Sequence, residues 1–230
     1  MDMQILPSWV TPVAIVFVVL SVLCAAAVAY DIYGRGHRQP VRIMEAVWVL
    51  SALWLGPFVL PLYAVTGRRR STRWQAAHPG AHAAGLPLAA AAGGLAGGAA
   101  SLVGHVIGVP LVLATGLSLF GVDMFAMIAV IAVLAVLMLL AFEFAVRGHL
   151  AREASAGAGL GTALLVAVVT VVAFDLGMGG WMLLLHFGGY MPPVTSVSFL
   201  FLMQVGIVLG FITGYPAVAL LLRRGTKVAT

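Results

Sequence analysis

Residues 44–66 read MEAVWVLSALWLGPFVLPLYAVT. The stretch is apolar and long enough to cross a bilayer, which takes about 20 residues of helix. Gly56-Pro57 and Pro61 interrupt it near its middle, and an interior proline removes a helical hydrogen bond and clashes with the preceding turn. Its flanks decide the reading. Arg35, Arg38 and Arg42 precede it, and Arg68, Arg69, Arg70 and Arg73 follow it. Basic residues collect in cytoplasmic loops, so a crossing here would leave one arginine-rich loop outside. The simplest resolution is a segment that dips in from the cytoplasmic side, breaks at Gly56-Pro57 and returns. Such broken backbone is tolerated at membrane depth only where protein or a water-filled cavity covers it. The alternative is six ordinary spans with one violation of the charge rule.

Working outward, five further apolar runs cover about residues 10–30, 86–113, 124–146, 160–187 and 194–222. The connections of the later runs obey the charge rule. Phe120 to Asp123 and Gly188 to Pro193 carry no basic residue, the loop between them has Arg147 and Arg152, and the chain ends in Arg223, Arg224 and Lys227. The opening MDMQILPSWVTP has an acid and no Lys or Arg, so it lacks the basic start of a cleaved signal peptide and reads as the approach to a retained span. The expected fold is all-α: a polytopic transmembrane helix bundle forming one domain over residues 1–230. It has five spans plus a re-entrant or broken segment (or six spans). It is expected in a bacterial plasma membrane, with its N-terminus outside, its C-terminus cytoplasmic and the lipid bilayer as its surroundings.

Composition excludes the main alternatives. Hydrophobic residues make up 63% of the chain and charged residues only 8%, against about 25% charged in a soluble domain. The net charge of +5 comes from basic residues that flank the apolar runs, a pattern of membrane orientation rather than of nucleic-acid binding. One cysteine, Cys24, rules out an internal disulfide, a CxxC pair and a cysteine zinc cluster. There is no GxSxG elbow, HExxH or phosphate-binding loop, so no constellation names a reaction and an enzyme is not favoured.

Buried polar residues carry what chemistry there is, because ionisable groups at membrane depth are expensive and call for a reason. On the fifth run, Asp175, Met178, Met182 and His186 are spaced 3, 4 and 4 and share one helix face. Carboxylate, thioether and imidazole are all metal ligands, so a metal ion or a proton is the expected cargo. A second helix would have to complete the site, with His105 or Met203. The bland reading of the stripe is packing, since methionine fills gaps, and the bland reading of His105 is a hydrogen bond to a backbone carbonyl. Glu143 and Arg147, four apart, suit an interfacial ion pair. Asp31 and Glu45 could pair with Arg35, Arg38 or Arg42, and Gln204 suits a helix–helix hydrogen bond. His78 and His82 flank a Pro-Gly turn in the arginine-rich loop, too few ligands for a metal. Gly93, Gly94, Gly97, Gly98, Ser101, Gly104 and Gly108 make a small-residue face on the third run. Such a face lets helices approach closely in lipid and places this helix at the centre of the bundle.

The chain resembles a family of bacterial membrane proteins, domain of unknown function 4396. The residues that carry the resemblance are Val47-Trp48, Ala52-Leu53, Gly56-Pro57, Tyr63, Gly67-Arg68, Gly104 to Gly108, Gly214-Tyr215-Pro216 and Arg223-Arg224-Gly225. The family's third span carries cysteines and an acid that imply metal or redox handling. Here Gly97 and Ser101 stand where the cysteines fall and His105 where the acid falls, so the thiol chemistry is absent. Asp175 matches an acid of the fifth span. Two functions follow as expectations. One is a small transporter or handler of metal cations or protons that uses Asp175 and His105, with His186. The other is a non-catalytic accessory subunit of a larger membrane complex, with partner membrane subunits or further copies of itself.

Overall fold

The computed structural model describes residues 6–80, 85–153 and 159–228, with the side chains of 149–153 excepted. His82 lies outside the described residues. Six helical segments are long and apolar enough to cross a membrane. Five run straight through the bundle: α1 (Val10–Ala29, prolonged by a π-helical turn to Gly34), α6 (Leu86–Thr115), α7 (Asp123–Glu153), α8 (Leu160–Phe187) and α9 (Val197–Arg223). The sixth is built from short pieces: α2 (Ile43–Leu55), a 3-10 turn at Gly56–Phe58, α3 (Val59–Leu62), a π-helical turn at Tyr63–Gly67 and α4 (Arg68–Arg70). The short α5 (Thr72–Ala77) follows it.

This broken segment folds back on itself. The ring of Trp48 meets that of Tyr63 edge-on, 5.3 Å between centroids, and Gly67 is pressed against the Trp48 indole. A straight helix would separate residues 48 and 67 by nearly 30 Å, at about 1.5 Å per residue. The ends are also tied together: Gln39 donates from Nε2 to the Gly67 carbonyl (3.0 Å), while its backbone N–H donates to Glu45 (3.0 Å). Thr72 N–H donates to the Arg38 carbonyl at 3.0 Å. The segment is a hairpin whose two arms leave the bundle at the same end.

The sequence explains the reversal. Gly56 has φ +56° and ψ −135°, a conformation open essentially to glycine alone. A Cβ there would lie 2.9 Å from the Phe17 ring and 3.1 Å from Ser21 Oγ. Phe17 and Ser21 are near the middle of α1, so the hairpin tip stops about halfway through the bundle. The 13 residues of α2 rise about 20 Å, short of the roughly 30 Å hydrocarbon core.

The α6 helix is the centre, as its glycines suggested, but mostly side chains rather than backbones fill its small-residue face. The Trp54 indole of the hairpin packs on Gly98, Phe211 on Gly94, and Phe174 with Thr170 on Gly97. Val218 meets Gly93 and Ile131 meets Gly104 and Gly108; of these, only at Gly104 does a neighbouring backbone oxygen, that of Ile131, come to 3.2 Å of the Cβ position. The tightest backbone approach lies elsewhere, where Gly177 of α8 abuts the Leu209 carbonyl of α9.

Candidate functional site

The hairpin's turned backbone leaves a carbonyl to satisfy. Leu53 O would pair with the N–H of residue 57 in a continuous helix, but residue 57 is proline. Gln204 of α9 fills the gap, donating from Nε2 to Leu53 O at 2.5 Å. A carbonyl can only accept, so the amide orientation is set and Oε1 points to the other side. That oxygen is buried and has no partner among the described residues.

Beyond the hairpin tip lies a cavity of about 560 Å³. It exists because the hairpin fills the space between α1 and α6 on only one half of the bundle; both helices pack on α2. Its walls are mostly apolar, and the deep polar side chains that line it are Ser21, His105 and Gln204, with Thr195 at its exposed end. Ser21 donates to Phe17 O at 2.8 Å. His105 and Gln204 are each only 8% exposed. The His105 Nδ1 lies 2.8 Å from the Ser101 carbonyl, so Nδ1 carries the hydrogen and Nε2 is the acceptor of the uncharged ring. Nε2 too is buried without a partner. Seven buried side-chain atoms among the described residues make no hydrogen bond, two of them (His37 Nδ1 and Arg147 Nε) facing a carboxylate instead, and of their owners only His105 and Gln204 line this cavity.

The remaining sequence candidates fall elsewhere. Met178 and Met182 are buried in the core of α8, which stays helical through Gly177–Gly180. Ser101 Oγ donates to the Met178 sulfur at 3.0 Å. Asp175 is half-buried, one turn before Gly179 on the side of α8 that meets Ile128 of α7. It does not line the cavity. His186 is half-buried near the end of α8, edge-on to Phe187 at 5.1 Å. Among the described residues no group of three or more His, Cys, Asp or Glu comes together to hold a metal ion. His78 stacks on Trp74, 4.2 Å between ring centroids.

Two ionic clusters were only partly legible in the sequence. At the hairpin neck Arg38 grips Glu45 with two bonds of 2.8 Å, and Arg42 adds a third at 3.1 Å. Beside it Asp31 accepts from Tyr63 Oη at 3.0 Å and lies within 3.3 Å of Arg35, 3.2 Å of His37 and 3.8 Å of Arg68. The sequence offered Arg35, Arg38 or Arg42 to Asp31 and Glu45; folding gives Arg35 to Asp31 and Arg38 and Arg42 to Glu45, and adds Tyr63, His37 and Arg68 to Asp31. The second cluster is Glu143, with Arg147 at 3.4 Å and Lys227 at 2.5 Å. Lys227 is 3% exposed, and Arg147 also donates to the Thr226 carbonyl at 2.9 Å. The C-terminal residues are thereby clasped to α7, a contact across 84 positions that no local pattern announces. Residues 40–43 of the neck share a surface cleft with residues 144–148 of α7, so both clusters lie at one end of the bundle.

Comparison with known proteins places the chain. No curated protein and no solved structure matches it. One family model does, described as domain of unknown function (DUF4396), over residues 88–227. The match takes in α6 to α9 and the clasped Lys227, and therefore His105, Gln204 and Asp175. The motifs between Val47 and Arg68, with the whole hairpin, lie outside the matched residues. Over residues 88–227, the larger part of its length, this chain belongs to the DUF4396 family.

Proposed function

We propose that this protein holds a small solute at bilayer depth, with the cavity beneath the re-entrant hairpin as its site and His105 as its chemical centre. The observation that carries the reading is the His105 ring. Its Nδ1 is committed to Ser101, and its Nε2 lone pair is left without a partner in a residue that lines a cavity. A buried polar group left unpaired costs about 1–3 kcal/mol, which a bound solute would recover.

Handling of a cation or proton is the form this reading took in the sequence. It keeps His105 and exchanges Asp175 for neutral neighbours: Gln204, Ser21 and the thioether of Met203, all of which line the cavity. The collection of arginines at the neck end supports a cytoplasmic neck and an N-terminus on the far side, in a plasma membrane.

The test is gentle detergent extraction followed by native mass spectrometry, with metal analysis of the same sample. A lone chain or homo-oligomer that carries a small-molecule mass or a stoichiometric metal, lost in His105→Leu, is the expected result. A chain with neither, held to other membrane subunits, would overturn it in favour of the accessory-subunit reading.

A further inference from the structure

From the lining of the cavity, we infer that the solute is a neutral, lipid-soluble molecule with a hydroxyl head that donates to His105 Nε2 or Gln204 Oε1. This rests on the cavity being the site and adds what occupies it. The volume, about 560 Å³, lies within the roughly 300–1,000 Å³ typical of small-molecule sites. The body of the ligand is set by Val18, Leu102, Val109, Leu113 and Ile207, which leave little but apolar surface to contact. Among the described residues no Lys, Arg, Asp or Glu lines the cavity, so a charged head would sit there without a counter-charge.

The head is set by the two unpaired atoms, His105 Nε2 and Gln204 Oε1. Both accept. Of the donors next to them, His105 Nδ1 goes to Ser101 O, Ser21 Oγ to Phe17 O, and one of the two Gln204 Nε2 hydrogens to Leu53 O. A molecule that only accepts would leave both atoms unpaired, whereas a hydroxyl satisfies one of them.

Access points to the same class. Val22, Val106 and Leu113 line the cavity and are also exposed on the outer surface of α1 and α6. That surface is the lipid-facing one, so the cavity opens sideways between these helices, where the hairpin no longer separates them. On the neck side the hairpin closes it. A solute that enters this way dissolves in the bilayer first.

The experiment uses the full chain in lipid nanodiscs and a diazirine-bearing 4-dodecylphenol as photoprobe. Plain 4-dodecylphenol and its methyl ether, which has no donor, serve as competitors, each expressed per membrane-bound concentration. Labelling is expected in peptides that contain the cavity residues of α1, α6 or α9. The phenol is expected to compete at about ten-fold lower concentration than the ether, as one hydrogen bond would give. The two competitors should converge in whichever of His105→Leu and Gln204→Leu removes the acceptor. Equal competition in the wild-type protein overturns the hydroxyl inference and leaves the cavity as a binding site. Absence of label from the cavity peptides removes the site itself. The wild-type comparison decides the matter even if a variant fails to fold.

Discussion

Gln204 of α9 and Leu53 of α2 are joined by a 2.5 Å hydrogen bond that stands in for the one Pro57 cannot make. A polar side chain thereby holds the tip of the hairpin in place and becomes part of the wall of the cavity beneath it. The same residue serves architecture with its nitrogen and offers chemistry with its oxygen. Replacing it with leucine removes the tie and orphans a buried carbonyl. The expected loss of stability is about 1–2 kcal/mol, at the upper end for interhelical hydrogen bonds in membranes. Reversible unfolding in mixed micelles would measure it, and a loss near zero would mean the Leu53 carbonyl finds another donor.

Gly56 is the second point on which the hairpin turns. With φ at +56° and the Phe17 ring 2.9 Å from where a Cβ would stand, Gly56→Ala meets backbone strain and a clash together. The strain alone is about 1–3 kcal/mol. The variant should unfold at lower denaturant than Gly80→Ala, a positive-φ glycine with open space around it. Equal behaviour of the two would show that the clash with α1 is relieved by movement.

The topology makes a direct prediction about sidedness. With Cys24 replaced by alanine, single cysteines at Pro40 and Ala76, both exposed, should react with an impermeant maleimide from the same side of the membrane. A cysteine at Ser118, in the exposed turn between α6 and α7, should react from the opposite side. If Pro40→Cys and Ala76→Cys label from opposite sides, residues 43–70 cross the membrane and the hairpin is wrong.

The clasp of the C-terminal residues is a buried ion pair, and such pairs respond asymmetrically. Removing one partner leaves an uncompensated charge and costs about 3–5 kcal/mol, while an apolar replacement of the whole pair is often neutral. Lys227→Met should therefore destabilise less than Glu143→Leu, because Arg147 still neutralises Glu143 in the first. The double variant Glu143→Leu with Lys227→Met should recover part of the loss. Strict additivity in the same unfolding assay would show that the two side chains are not coupled.

At the neck, Tyr63→Phe removes a single donor to Asp31 (3.0 Å) while leaving the ring on Trp48. The expected cost is about 1 kcal/mol. Asp31→Ala should cost more, because Arg35, His37 and Arg68 then face one another without the carboxylate. A larger effect for Tyr63→Phe than for Asp31→Ala would contradict this order.

The amino-acid sequence by itself determined the solvent, the class of fold and the place of the turn. So few charges leave no soluble option, the apolar runs fix the helices, and two arginine-rich flanks around Gly56-Pro57 favour a return to the starting side over a sixth span. These are local or compositional signals, and the bilayer reads them directly. The ion pair Glu143–Arg147 was legible for the same reason, since i and i+4 are neighbours on any helix, while the partner of Asp31 stayed open among Arg35, Arg38 and Arg42. Tertiary structure alone decided which polar residues meet. Asp175 and His105 look alike as buried ionisable groups in a sequence, yet one sits beside α7 at half-burial and the other lines the cavity. The partnership of Gln204 with Leu53, and of Lys227 with Glu143, spans 151 and 84 positions. Helices with nearly uniform apolar faces carry almost no periodic signal to say which side looks inward. What orients them is the fit of Trp54, Phe174 and Phe211 onto particular glycines, and that fit exists only once the helices have packed.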